Sequence, residues 1–234
     1  MASNDFDENS TENLPDTTAV KATPVYSVFD YDATSLNVEQ SLSEDYCKKF
    51  HQNGHITWIN VDILVQEEVE QLCKNYEVHP LLIEDIMSQT ERPKMEEVEK
   101  VIIAVLPMMF FNKRNGEIEM EQVSLILGKD FVLSFQEDAK RDVFDSVRRH
   151  LRDETSKVRQ RGPDYLMYSL LDVIVDSYFG VIEKLTDRIE TLEDVLLKRQ
   201  NKLQLARISM LRRDVSALRR AVMPVRELIA HFVR

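Results

Sequence analysis

The chain has 234 residues, 43% of them hydrophobic and 30% charged, with a formal net charge of −11 at pH 7. That is enough apolar material for one sizeable core or two modest ones, and the acidity argues against nucleic acid as a partner. No run reads as the ~18–20 apolar residues of a membrane span, since the longest candidate, Val101 to Phe111, is short and contains Pro107.

Residues 1–24 are rich in Asn, Asp, Ser, Thr and Glu and lack a signal-peptide apolar core, so they read as a disordered acidic tail. Val25 to Asp30 alternates as a strand does, and Ser35 to Leu42 is a weaker second candidate. Ser43 to Asn53 predicts a short helix ended by Gly54. His55 to Asp62 is β-branched and aromatic, hence a strand. Gln66 to Tyr76 predicts a helix with Val69, Leu72 and Cys73 on one face, and His79-Pro80 opens another through Met87. Val98 to Phe111 reads as one long strand, turned by Asn115-Gly116 into Ile118 to Leu127. Gly128-Lys129-Asp130 turns again into Phe131 to Phe135. Asp142 to Asp153 is amphipathic, and Gly162-Pro163 then launches the last third.

That third carries two heptad-like seams. The first runs Tyr168, Leu171, Val175, Tyr178, Ile182, Leu185, Ile189, Leu192 and Leu196. The second runs Ile208, Leu211, Val215, Leu218, Val222, Val225, Ile229 and Phe232. A short polar link between them predicts an antiparallel helical hairpin, bent at Pro224. The second seam reaches Arg234 with no stop signal, so the natural protein is expected to continue. Three segments follow: a tail (1–24), an α/β/α domain (25–155) and a helical hairpin (156–234). The expected fold class is mixed α/β, an α/β/α sandwich whose sheet is mixed but largely antiparallel.

Charge follows the same division. Residues 1–155 hold 15 basic and 31 acidic side chains, and residues 156–234 hold 15 and 10. Arg212, Arg213, Arg219 and Arg220 are placed to pair with the acidic run Asp187, Glu190, Glu193 and Asp194. Cys47 and Cys73 fit neither a zinc spacing nor a disulfide framework. The five histidines (His51, His55, His79, His150 and His231) fall at no ligand spacing, so no zinc site is expected. With no nucleophile–base pattern and no Gly-rich phosphate loop, no enzyme is expected. The chain itself reads as soluble and cytoplasmic.

The carboxylates are the candidate chemistry. Glu84 and Asp85 are adjacent near the end of a short helix. Asp172 and Asp176 lie one helical turn apart, where like charges repel by a few tenths of a kcal/mol that a dication would relieve. All four are hard oxygen ligands of the kind that suits Mg2+.

Six segments in order resemble the cytoplasmic domain of CorA-type magnesium transporters: Thr57-Trp58-Ile59-Asn60-Val61-Asp62, His79-Pro80-Leu81-Leu82-Ile83-Glu84-Asp85-Ile86, Arg92-Pro93-Lys94, Glu121 to Leu127, Phe135-Gln136-Glu137, and Asp164 to Asp172. The likeness covers 25–234 but not that family's stalk helix, membrane helices or Gly-Met-Asn pore loop. The resemblance implies a regulatory, cation-sensing domain of a magnesium (or cobalt) transporter, itself not transport-competent. It implies a homopentamer of identical subunits, held to the inner face of the membrane by a segment beyond Arg234. It also implies that Asp85, with Glu84 and Asp172, belongs to a Mg2+- or Co2+-sensing site between subunits; Asp176 joins them from its spacing alone. The alternatives are a zinc-transporting branch of the same superfamily and a soluble helical-hairpin scaffold that docks a partner.

Overall fold

The computed structural model describes residues 24–41, 43–88, 92–112, 114–198 and 202–232. The expected disordered tail falls almost wholly outside them. A seven-stranded sheet runs in the order β2-β1-β3-β7-β6-β5-β4. Its strands are β1 (Val25–Tyr31), β2 (Leu36–Ser41), β3 (Ile56–Asp62), β4 (Lys94–Val98), β5 (Val101–Asn112), β6 (Glu117–Leu127) and β7 (Phe131–Gln136). Among the described residues β3 and β7 pair in parallel, with Trp58 opposite Val132 and Asp62 opposite Gln136. The other neighbours pair antiparallel, as expected of a mixed, largely antiparallel sheet.

Alternation along the strands separates two cores. Val28, Ile59, Val61, Ile103, Val105, Leu133 and Phe135 face one side, where α1 (Glu44–Cys47), α2 (Gln66–Asn75) and α3 (Leu81–Met87) pack through Cys47, Leu72, Leu82 and Ile86. Phe29, Trp58, Ala104, Leu106, Leu125 and Val132 face the other. There α4 (Asp145–Arg152), α5 (Lys157–Gln160), α6 (Pro163–Lys198) and α7 (Lys202–Phe232) pack through Phe144, Val147, Val158, Leu170 and Val225. The sheet thus lies between helical layers, and the helical hairpin forms part of the second.

The long strand expected over Val98 to Phe111 is present as β5, which begins at Val101, but the strand before it, β4, was not expected. β4 turns at Glu99-Lys100, with Glu99 at φ 57°, and pairs back on β5 with Val98 opposite Val101. As an edge strand carrying exposed Glu96 and Glu97, β4 shows no apolar alternation to read.

A helix of membrane-spanning length and composition is present after all. The most apolar 18-residue window of α6 has a mean hydropathy of 1.4. Part of that apolarity serves the core, 39% of the stretch being buried, with Leu166, Met167, Leu170, Leu171 and Ile174 packed on the sheet side.

The ion pairing between the two long helices also runs opposite to expectation. Arg188 of α6 donates from Nη1 to Asp214 Oδ2 of α7 at 2.8 Å, and to the Gly116 carbonyl in the β5–β6 turn at 2.8 Å. Arg212, Arg213, Arg219 and Arg220 are exposed.

Candidate metal-binding site

α3 is a two-turn helix anchored by Leu82 and Ile86, which are buried one turn apart. That anchoring leaves Glu84 exposed and Asp85 half-buried. Glu84 lines a groove of about 900 Å³ with Gln66, Glu70, Glu77, His79 and Glu99. Asp85 is held from two sides. Lys94 Nζ, at the start of β4, sits 2.7 Å from its Oδ1, with the two side chains 26% and 16% exposed. Gln122 of β6 donates from Nε2 to its backbone carbonyl at 2.8 Å. The Asp85 carboxylate therefore already has one cationic partner supplied by the chain.

Asp172 and Asp176 lie on the outer side of α6, exposed beside the buried Leu171, Ile174 and Tyr178. Partial burial, and then the like charge of Asp176, push the Asp172 carboxyl above its ordinary range. These are the conditions under which a dication is favourable. The acids interrupt an apolar stripe of Tyr168 (44% exposed), Phe179 (64%) and Ile182 (42%).

The sheet separates the two acidic pairs. Glu84 and Asp85 ride on the α1–α3 layer, whereas Asp172 and Asp176 ride on the α4–α7 layer. Among the described residues no three His, Cys, Asp or Glu side chains converge as a metal-binding group.

Two features escaped the sequence. The first is Lys94, whose partner is nine residues away on a different element. The second is a buried polar ladder across the parallel β3–β7 pair. Trp58 Nε1 donates to Ser134 Oγ at 2.9 Å, and Ser134 Oγ donates to Asn60 Oδ1 at 2.7 Å. Asn60 Nδ2 and Gln136 Nε2 both donate to Asp62 Oδ1, at 2.9 and 2.5 Å. The signal was present as polar residues at alternate positions in otherwise apolar strands. It assigns Trp58, Asn60, Asp62 and Gln136 to holding the sheet's register.

The family described as "CorA-like Mg2+ transporter protein" matches residues 53–234. The chain is 35% identical over 229 residues to the cobalt/magnesium transport protein CorA of Thermotoga maritima, covering 95% of this chain and 65% of that protein. It is 26% identical over 199 residues to the magnesium transporter ALR2 of Saccharomyces cerevisiae, covering 83% of this chain and 23% of that protein. The chain thus spans less than two thirds of the length of either relative. In fold it is similar to the complete CorA magnesium transporter of Methanocaldococcus jannaschii, with a TM-score of 0.71 at 17% identity, covering 92% of this chain and 64% of that one. It is also similar to the soluble domain of the same transporter, with a TM-score of 0.64 at 19% identity, covering 87% and 77%.

Proposed function

The chain belongs to the CorA-like Mg2+ transporter family, and from that premise we propose that it is the cytoplasmic, cation-sensing domain of a membrane-embedded magnesium transporter. Cobalt is the second ion, and the working assembly is a pentamer of identical copies. The names of its relatives, which include magnesium and cobalt/magnesium transporters, support the choice of ion. The observation that carries the sensing role is the division of the carboxylates. Glu84 with Asp85 and Asp172 with Asp176 ride on opposite layers of one sheet, so groups from both pairs can share an ion only across a boundary between copies. The apolar stripe around Asp172 and Asp176 is the kind of surface that such a boundary covers.

The mechanism is electrostatic. Mg2+ binds through few carboxylates and keeps several waters, so one or two groups from each copy suffice. When the ion is abundant it bridges facing carboxylates and favours the closed arrangement. When it is scarce, the like charges repel and the population shifts toward the open one. Lys94 engages Asp85 Oδ1. Mg2+ would enter at this carboxylate in competition with the lysine.

The test is thermal melting of the full-length assembly with and without about a millimolar Mg2+. The expected result is an upward shift that Asp85→Asn and Asp172→Asn each reduce. A shift of unchanged size in both variants removes this site from the mechanism.

A further inference from the structure

We propose that His55 Nε2 and Asp32 Oδ2 form a separate site for a late transition-metal dication, Co2+ or Zn2+, that discriminates against Mg2+. Spacing along the sequence gave no such pairing. The fold creates it by bringing the residue just before β3 against the end of β1 and the β1–β2 turn. His55 Nδ1 lies 2.9 Å from Asp30 Oδ2, and Nε2 lies 3.7 Å from Asp32 Oδ2.

Each partner has a distinct part. Asp30 is buried, and its other oxygen accepts from Asn53 Nδ2 at 2.9 Å and Thr57 Oγ1 at 3.0 Å. It is therefore rigid, and it stands within hydrogen-bond reach of Nδ1 of the ring. When Nδ1 carries the proton and Nε2 the lone pair, this is the arrangement in which a carboxylate behind a histidine orients it toward a metal. Asp32 Oδ1 accepts the backbone N–H groups of Thr34 and Ser35 at 2.7 and 2.6 Å and the Thr34 hydroxyl at 2.9 Å. Those bonds fix the orientation of the Asp32 carboxylate and leave Oδ2 turned toward His55. Arg159 donates from Nε to the Asp32 carbonyl, and the two aspartates offset that charge.

The 3.7 Å gap is too long for a good hydrogen bond. It is close to the roughly 3.0–3.6 Å separating two ligands on one metal with bonds of ~2.0–2.2 Å. His55 and Asp32 are 38% and 41% exposed, so an ion can enter and keep waters in its remaining positions. Imidazole favours cobalt and zinc, whereas Mg2+ prefers an all-oxygen shell. The site shares no residue with the carboxylates of α3 and α6.

The experiment is isothermal titration of the purified chain with Co2+ or Zn2+ in about a hundredfold excess of Mg2+, with NMR of the Co2+ form. The expected result is a binding event that survives the Mg2+ and disappears in both His55→Ala and Asp32→Asn. In Asp30→Asn it weakens by about 10–100-fold. Paramagnetic broadening is expected to centre on residues 30–35 and 55–57. Asp32→Asn keeps the Oδ1 acceptor of the turn, so it reports on the site even if His55→Ala perturbs folding. No binding in the wild-type chain, binding unchanged in Asp32→Asn, displacement by Mg2+, or broadening centred elsewhere would each overturn the proposal.

Discussion

Lys94 gives Asp85 a counter-ion that never dissociates from the chain, and under the proposed function a free cation would compete with it. Losing it leaves a half-buried carboxylate unpaired. Lys94→Met is expected to lower stability by about 1–3 kcal/mol in Mg2+-free buffer, and to make the melting temperature of the assembled protein respond to Mg2+ at lower concentrations. A Mg2+ titration of melting curves checks both parts. Asp62 is a second residue with a defined titration sign. Burial raises its carboxyl above the ordinary 3.8 despite the hydrogen bond from Gln136. Between that value and the raised one, the folded state holds more proton than the unfolded chain. Stability from this group is therefore greatest at low pH and falls as pH rises through the window. Asp62→Asn, which keeps an Oδ1 acceptor for Asn60 and Gln136, is expected to flatten this slope in melting curves taken from about pH 4 to 7.

At the scale of elements, α6 divides one seam between two jobs. Leu171, Tyr178, Leu185 and Leu192 are buried, while Tyr168, Ile182 and Ile189, one helical turn away, are exposed. Leu185→Ala is expected to cost about 2–5 kcal/mol as a cavity against the sheet layer. Ile182→Ala is expected to stay within about 0.5 kcal/mol in the isolated chain, and denaturant unfolding separates the two. A heptad pattern locates such a helix but does not say that its two rows face different surroundings. The sheet was legible wherever β-branched residues alternated, as in β1, β3 and β7. It was not legible in β4, whose charged edge residues carry no such pattern. The candidate site was legible to the same degree. Asp172 and Asp176 are neighbours by helical spacing alone. The Lys94–Asp85 and His55–Asp32 pairs join different elements, and only tertiary structure brings them together.

For the whole molecule, the sheet keeps the two acidic pairs apart, so an isolated copy offers Mg2+ no shared cage. Melting of dilute, monomeric chain is expected to shift far less with Mg2+ than melting of the full-length assembly, and equal shifts would mean that the ion acts within one copy. The same sheet consists of two antiparallel halves, β2-β1-β3 and β7-β6-β5-β4, joined along β3 and β7. Each half is built from strands close in the chain, whereas the join pairs Thr57 with Phe131. Closing so long a loop costs entropy before any contact repays it. Registration of Trp58, Asn60 and Asp62 against Ser134 and Gln136 is therefore the step expected to limit how fast a newly made chain reaches its native form. A mutation in that ladder would act on the folding rate more than on any equilibrium with metal.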